Sequence, residues 1–518
     1  MSIGGLRSIP VHPVLFAVFP VLFLFAQNVE ETPTADVAAP LALAALGAGT
    51  ALGAAFALLK DARRAAIVVS PLVLAFFSFG HVRRTLEESR FQPQVGRGIA
   101  LLGLWVVLAL SIAWLASRLR RNLVELTAIL NVAAAALALV SLIPAATYVA
   151  ATRAPADAAA HELRPGAPVD NAPDIYYLIF DRYGSQATLQ RVFGIDNSPF
   201  LGWLESTGFQ VIDDSRANYP KTAHSLAASL NMTYLDELAE RHGPVHPDWL
   251  PIYGMLQDHA VGRFLQAQGY EYIHIGSWWD PTSVNNIADD NPRFDGRSDF
   301  SSTLYDATLA GAIRELFADE PDEPSRRRHY DIVDFQQRAL ARAGQAPGPT
   351  FVFAHVLLPH EPYVFDAQGR YVTAAQERAQ SREAAFADQL AYTNTLIQEL
   401  ISDLLDVEEG SEPVIILQAD EGPHPLAYER GDQEAWNWEE ASIDDLEEKF
   451  QILNALYLPG EDDPELGQDL SPVNSFRLVL SHYFGADLPL LPDRQHVFRD
   501  NSHPLLFTEI TDRLAAGS

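Results

Sequence analysis

Five apolar stretches in the first 150 residues constrain the fold of this chain more than any other feature. They lie near Ile9–Ala26, Val37–Leu59, Ala65–Phe79, Gly98–Ala116 and Leu123–Ala150. A helix needs about 20 apolar residues to cross a bilayer. The second, fourth and fifth stretches reach that length, whereas the first and third are shorter. We predict five membrane-spanning helices within residues 1–150. A cleaved signal peptide is the alternative for the first stretch, but no clear small-residue cleavage site follows it.

The basic residues between these stretches indicate the orientation, because Lys and Arg accumulate in cytoplasmic loops. Lys60, Arg63 and Arg64 follow the second stretch, and three arginines at 118, 120 and 121 follow the fourth. Four arginines between the third and fourth stretches argue the other way, offset in part by Glu87 and Glu88. The balance predicts a multi-pass plasma-membrane protein with an extracytoplasmic C-terminal domain over residues 172–518. Residues 151–171, rich in Ala and Pro, are predicted to be a linker.

The charge balance and the lack of cysteine exclude several classes of function. Residues 1–150 hold 11 of the 36 basic and 7 of the 67 acidic side chains, so the remainder carries a net charge of about −35. Nucleic acid would repel such a domain, and no nucleic-acid partner is expected. Without cysteine there is no disulfide, thiol nucleophile or Cys-bound zinc. The apolar stretches lack the charges typical of a transport path, which disfavours a transporter.

Short apolar runs alternate with helical patterns beyond the linker. The runs are Asp174–Phe180, Tyr270–Gly276, Thr350–Val356, Val414–Ala419 and Ile452–Gly460. The longest helical pattern covers Arg382–Leu405. Runs of four to eight buried residues that alternate with helices are typical of α/β proteins. We predict an α/β/α sandwich with a mostly parallel sheet.

Polar residues follow these strands at the edge where ligands bind in open α/β sheets. Asp181 follows the first run, Trp278 and Trp279 the second, and Asp420-Glu421 the fourth, within "VIILQADEGP". The third run carries His355 and leads to His360. Three carboxylates that arrive at strand ends suit a divalent cation that prefers oxygen ligands. Ordinary polar strand ends are the alternative.

Four segments together resemble the sulfatase-like branch of the alkaline phosphatase superfamily, in particular its membrane-anchored lipoteichoic acid synthases and phosphoethanolamine transferases. They are "PDIYYLIFDRYG", "NYPKTAHSLAASLNM", "HVLLPHEPYVFD" and "VIILQADEGP". The resemblance covers roughly Pro173 to Asp500. It implies a multi-span anchor followed by an outward catalytic domain.

The resemblance also implies roles for individual residues. Asp181 would bind the metal and Thr222 would be the nucleophile and a further ligand. His360 would contact the substrate. In the family an Asp-His-Gly triplet supplies two more metal ligands, and here Asp420-Glu421-Gly422 stands in that place.

Because this triplet has glutamate where the family has histidine, two questions stay open: which metal the site binds, and whether the site is active. If Asp181, Thr222, Asp420 and Glu421 hold one divalent cation, the all-oxygen set favours Mn²⁺ or Mg²⁺, with Ca²⁺ or Zn²⁺ as alternatives. His424, three residues beyond Glu421, is an alternative source of the missing imidazole. A degenerate site without chemistry is a third interpretation.

Together with these residues, the resemblance implies a membrane-anchored, metal-dependent phosphotransferase or phosphodiesterase that acts on an envelope lipid or glycan. Ser225 and Ser229 are alternative nucleophiles, and Thr222 could instead cap a helix. Trp278, Trp279 and His355 are candidate substrate contacts. The alternative is a degenerate sulfatase-like envelope protein that binds a glycan or a partner without catalysis. Because the chain has no Cys and no S-x-P-x-R motif, sulfate-ester hydrolysis through formylglycine is not expected.

Overall fold

The structure is a computed structural model of the 518-residue chain. It describes residues 9–29, 32, 34–88, 95–118, 122–152, 172–294, 298–316, 323–408, 410–460 and 469–516. The predicted linker lies almost wholly outside these residues. The chain divides into two compact units, one comprising Met1–Pro155 with Arg297–Pro324 and the other Ala156–Gly296 with Ser325–Ser518.

Helices and strands are numbered here in chain order. The helices are α1 (His12–Gln27), α2 (Thr34–Leu59), α3 (Ala62–Glu88), α4 (Val95–Arg118), α5 (Leu123–Thr152), α6 (Gln186–Thr188), α7 (Ser198–Ser206), α8 (Thr222–Asn231), α9 (Asp236–His242), α10 (Leu250–Gln257), α11 (Ala260–Ala267), α12 (Asp280–Ser283), α13 (Asp299–Asp306), α14 (Leu309–Leu316), α15 (Glu323–Ala343), α16 (Ala374–Arg378), α17 (Arg382–Leu405), α18 (Leu426–Arg430), α19 (Ile443–Phe450), α20 (Pro472–Phe484) and α21 (Thr511–Ala515). The strands are β1 (Ile175–Phe180), β2 (Gln210–Val211), β3 (Glu271–Ile275), β4 (Thr350–Val356), β5 (Val414–Gln418), β6 (Asn454–Tyr457), β7 (His496–Phe498) and β8 (Phe507–Glu509).

The first unit contains the apolar helices α1–α5 together with α13 and α14. Within α2, α3, α4 and α5, four segments are long and apolar enough to cross a membrane, whereas α1 has 16 residues and is shorter. The chain is therefore a membrane protein. In α5, Asn131 accepts hydrogen bonds from the backbone N–H groups of Val11 and His12 at 3.1 and 3.0 Å. This contact satisfies donors at the start of α1 that have no partner within their own helix.

The segment that carries α13 and α14 belongs to this first unit although it lies between β3 and β4 in the sequence. Phe300 of α13 is buried in one cluster with Val21, Phe25 and Ala145. The predicted division into residues 1–150 and 172–518 assigned this segment to the C-terminal domain.

The second unit is built on a six-stranded sheet in the order β2-β6-β5-β1-β4-β3. Strands β5, β1, β4 and β3 are parallel. Strand β6 is antiparallel to β5, and the short strand β2 is antiparallel to β6. Strands β1, β4 and β5 are fully buried. That explains their continuous apolar sequences, because a parallel sheet is covered on both faces. The predicted α/β fold class with a mostly parallel sheet is confirmed, and the helix predicted over Arg382–Leu405 is α17.

Candidate metal and phosphoryl-transfer site

The two central strands, β1 and β5, place two carboxylates at one edge of the sheet. Asp181 directly follows β1, and Asp420 lies two residues beyond β5. Since β1 and β5 are parallel neighbours, their carboxyl ends lie side by side. Both side chains are buried. Asp181 and Asp420 therefore lie close together, as their positions after the two strands predict.

His355 joins these two acids and forms a group with the geometry of a metal site. One ligand atom from each of Asp181, His355 and Asp420 can be chosen so that all lie within 4.8 Å of one another. His355 is fully buried near the end of β4, and its Nε2 lies 3.5 Å from Oδ2 of Asp181. The sequence predicted His355 as a substrate contact, which stays a prediction, and its position also makes it a candidate metal ligand.

The hydrogen bonds around His355 aim its Nε2 at the two acids. Nδ1 is 2.7 Å from the hydroxyl of Thr282, and that hydroxyl has the carbonyl of Trp279 as an acceptor 3.5 Å away. In the tautomer with its proton on Nδ1, His355 donates to Thr282 and Nε2 keeps its lone pair for a metal. Glycine at position 276 lets the backbone of Thr282 pack close to the end of β3, because a Cβ at position 276 would lie 2.3 Å from the Thr282 carbonyl oxygen.

The three side chains suit a divalent cation because several of their oxygen and nitrogen atoms lack a hydrogen-bond partner among the residues that the structure describes. Oδ1 of Asp181, Nε2 of His355 and both oxygens of Asp420 are buried and make no well-formed hydrogen bond to the described part of the chain. Burial and the neighbouring carboxylate of Asp181 raise the pKa of Asp420 well above its usual range. A cation would remove that repulsion and supply the missing partners.

Thr222 lies beside this group at the start of α8. It is the first helical residue and makes no capping hydrogen bond, and the N-cap position belongs to Lys221. The Thr222 hydroxyl is close enough to the Asp420 carboxylate to favour its ionised form. The free N–H groups at the N-terminus of a helix also attract an anion. Thr222 is thus placed next to both the candidate cation site and a favourable position for a phosphoryl group.

The alternative nucleophiles are occupied elsewhere. The hydroxyl of Ser225 donates to the carbonyl of Tyr219 at 2.9 Å, and that of Ser229 donates to the carbonyl of Ser225 at 2.8 Å. Both serines are 1% exposed. They serve as buried helix residues, whereas Thr222 is partly exposed.

Glu421 is engaged by cations and lies outside the group of three. Its Oε1 is 2.7 Å from Nζ of Lys449 and 3.4 Å from Nε of Arg182. Lys449, His424 and Arg182 outweigh the effect of burial and hold the pKa of Glu421 well below its usual range. The assignment of Glu421 as a ligand stays a prediction, and the geometry favours His355 in that role.

His424 does not join the group of three either. Its Nε2 lies 3.6 Å from Oε1 of Glu421, and its Nδ1 lies 3.5 Å from Oε1 of Glu361. Burial lowers the pKa of His424 to about 3, so the ring is neutral. It lies between the two glutamates, and His355 supplies the imidazole of the candidate site.

His360 and Arg182 line the same site. Nδ1 of His360 donates to the carbonyl of Glu361, so its Nε2 carries the lone pair. Burial, together with Arg182, lowers the pKa of His360. The guanidinium of Arg182 pairs with Glu361. Arg182 has a φ of 63°, which is unusual for a residue other than glycine, and such strain is typical of functional sites.

The two tryptophans differ in their surroundings. The ring of Trp278 lies 6.1 Å from that of His360, and its Nε1 is buried without a hydrogen-bond partner among the described residues. Trp279 packs against the main core and lies 5.9 Å from the ring of Tyr253. The ring of Trp279 also lies 6.3 Å from that of His355, so both tryptophans adjoin a histidine of the site and their roles as substrate contacts stay predictions.

Three polar residues of the site were missed by the sequence analysis. Lys449 forms an ion pair with Glu421, and Arg182 forms one with Glu361. Thr282 is hydrogen-bonded to His355. Lys449 and Thr282 lie in helices far along the chain from their partners, with no motif around them. The one signal for Lys449 was its rarity, since the chain has only three lysines.

The sequence match decides the family. The sulfatase family model matches residues 177–444, just over half of the chain. The chain belongs to the sulfatase family. The matched range contains Asp181, Thr222, His355 and Asp420. No curated protein matches the chain.

Several solved structures are similar in fold to this sulfatase-family protein. The C-terminal periplasmic domain of EcEptC from Escherichia coli is 13% identical, with a TM-score of 0.42, over 68% of this chain and 98% of that one. The same domain in complex with Zn is 12% identical, with a TM-score of 0.40, over 63% and 87%. The integral membrane protein lipooligosaccharide phosphoethanolamine transferase A from Neisseria meningitidis is 13% identical, with a TM-score of 0.38, over 92% and 96%.

Proposed function

We propose that this protein is a membrane-anchored, metal-dependent phosphotransferase or phosphodiesterase that acts on a lipid- or glycan-linked phosphoester. The observation that carries the proposal is the position of Thr222, at the start of α8 and beside the buried group of Asp181, His355 and Asp420. The apolar helices of the first unit support a substrate held in the membrane. The lack of a formylglycine precursor argues against sulfate esters.

Asp181, Asp420 and His355 would hold one divalent cation. When bound, such a cation lowers the pKa of a nearby hydroxyl and offsets charge on a phosphoryl oxygen. The mixed oxygen and nitrogen donors suit Mn²⁺ or Zn²⁺ better than Mg²⁺ or Ca²⁺. This preference differs from the one that the all-oxygen set predicted.

The reaction has two steps in which the chain supplies the nucleophile and a proton carrier. Oγ1 of Thr222 forms a bond to phosphorus while the bond from phosphorus to the first alcohol breaks. The oxygen of water or of a second alcohol then bonds to phosphorus and displaces Thr222. In the first step Nε2 of His360 would accept the proton of the Thr222 hydroxyl and return it to the oxygen of the first alcohol. In the second step it would accept the proton of water or of the second alcohol and return it to Oγ1 of Thr222.

The test measures turnover of a chromogenic phosphodiester by the full-length protein in detergent. Thr222→Ala should lower turnover at least about 10³-fold, since loss of a nucleophile removes the whole covalent route. The matched control is Thr395→Ala, an exposed threonine on α17 whose hydroxyl bonds only to its own helix. A phosphorylated Thr222 peptide, trapped by rapid acid quench, would identify the intermediate. Equal activity in both variants, or no activity with any divalent cation, would favour the non-catalytic alternative.

A further inference from the structure

The carboxylate that stands beside Asp420 in the sequence is held by a buried lysine. Nζ of Lys449 lies 2.7 Å from Oε1 of Glu421, and the two side chains are 0% and 2% exposed. Nζ also donates to the carbonyl of Gly422 at 3.2 Å. A buried ion pair of this kind is costly to break, because removal of one partner leaves the other charge without compensation.

The backbone fixes Lys449 in this position. The N–H of Gly422 donates to the carbonyl of Lys449 at 2.7 Å. A Cβ at position 422 would lie 2.3 Å from the Glu448 carbonyl oxygen and 2.9 Å from that of Lys449. Only glycine permits this approach. The end of α19 is thereby locked against the residue that follows Glu421.

The ion pairs divide the charges of the site into three neutral sets. Asp181 and Asp420 together balance one divalent cation, Lys449 balances Glu421, and Arg182 balances Glu361. If Glu421 entered the ligand set instead, three carboxylates would surround the cation and Lys449 would remain buried and unpaired. Among the described residues, only Asp181, His355 and Asp420 form a group with metal-site geometry, so the first arrangement is the one the structure contains.

We propose that Lys449 is a positioning residue that binds Glu421, keeps this carboxylate out of the ligand set and leaves His355 as the third ligand. The inference rests on the proposed cation site. It explains how a chain with Asp-Glu-Gly at this place keeps a mixed oxygen and nitrogen site. Oε2 of Glu421 is buried without a hydrogen-bond partner in the described part of the chain, so this oxygen is the one that would turn toward the cation without Lys449.

The test measures the affinity of metal-free, full-length protein in detergent for Mn²⁺, by electron paramagnetic resonance of the free ion. Lys449→Met should tighten Mn²⁺ binding about tenfold, since it removes the shorter of the two ion pairs of Glu421, leaves the 3.4 Å contact with Arg182, and lets Glu421 act as an additional ligand. Glu421→Gln should weaken binding by a similar factor, because it leaves the Lys449 cation unpaired beside the site. Lys60→Met is the matched control, since Lys60 is exposed in the first unit, and should leave the affinity unchanged.

The neutral double variant Glu421→Gln with Lys449→Met decides the question if a single variant does not fold. It keeps the size of both side chains and removes both charges, so it should bind Mn²⁺ within about threefold of the unaltered protein. His355→Gln should weaken binding by more than the roughly 10- to 100-fold that follows the loss of an outer partner of a metal ligand. A folded double variant that has lost Mn²⁺ binding would make Glu421 a ligand and overturn the inference. Absence of binding in the unaltered protein would instead overturn the proposed function.

Discussion

At the scale of single residues, the sequence predicted the two carboxylates of the candidate metal site, Asp181 and Asp420, but it did not predict His355 as a ligand. Asp181 and Asp420 follow apolar runs, and side chains at such places meet when the strands are parallel neighbours. His355 lies inside its run, where a histidine is ordinarily part of the core. Its role depends on Thr282, 73 residues earlier, and spacing along the chain cannot reveal that contact.

The Thr282 hydroxyl should control cation binding through His355. Thr282→Val keeps the shape of the side chain but leaves Nδ1–H of His355 buried without an acceptor. We expect the affinity for Mn²⁺ or Zn²⁺ to fall about 10- to 100-fold, as for other partners of metal-bound histidines. Isothermal titration of the metal-free protein measures this change, and Thr282→Ser should restore most of the affinity.

Thr393→Val is the matched control for this experiment. Thr393 is equally buried, but within the described part of the chain its hydroxyl donates to the carbonyl of Gln389 in its own helix. An equal loss of affinity in both variants would mean that the Thr282 effect is general destabilisation. Unchanged affinity in a folded Thr282→Val protein would remove Thr282 from the site.

At the scale of helices and strands, the sequence was most informative where one periodicity covers a whole element. The run Thr350–Val356 is β4, and the pattern over Arg382–Leu405 is α17. The antiparallel direction of β6 could not be predicted, because an apolar run has no direction of its own. The short helix α12, which carries Thr282, has four residues and no detectable period.

The start of helix α11 should make the fold sensitive to acid. Nδ1 of His259, the N-cap, accepts a hydrogen bond from the backbone N–H of Gly262 at 3.0 Å, so it must be unprotonated. Burial lowers the pKa of His259 to about 3. An unfolded histidine takes up a proton near pH 6.5, so below that pH the unfolded state binds more protons and stability falls until about pH 3.

His259→Asn should reduce this sensitivity, because asparagine caps a helix and does not titrate. In the variant the free energy of unfolding should fall less steeply as the pH decreases. Its slope between pH 6 and pH 4 should be smaller than that of the unaltered protein by about 1 kcal/mol per pH unit. Urea unfolding followed by tryptophan fluorescence gives both slopes. Other buried histidines titrate alike in the two proteins and cancel. Identical slopes would show that His259 is not the titrating group.

At the scale of the whole molecule, the sequence predicted a membrane region and an α/β domain in that order. It did not predict that a later segment, Arg297–Pro324, belongs to the first compact unit. The sequence of α13 and α14 mixes polar and apolar residues as ordinary surface helices do. The buried cluster that holds Phe300 together with Val21 and Phe25 joins positions nearly 300 residues apart, and no local pattern encodes it.

The close approach of Gly80 to Ala307 should be essential for this association of segments. The N–H of Gly80 lies 3.1 Å from the carbonyl oxygen of Ala307, and a Cβ at position 80 would lie 2.5 Å from that oxygen. Gly80→Ala must therefore displace the backbone between α13 and α14, at an expected cost of about 1–3 kcal/mol. Thermal unfolding in detergent should show a lower midpoint. Gly53→Ala, where no atom lies within 4 Å of the added methyl, should leave the midpoint unchanged or raise it. Equal midpoints for the two variants would mean that the segment Arg297–Pro324 contributes nothing to the stability of the helical unit.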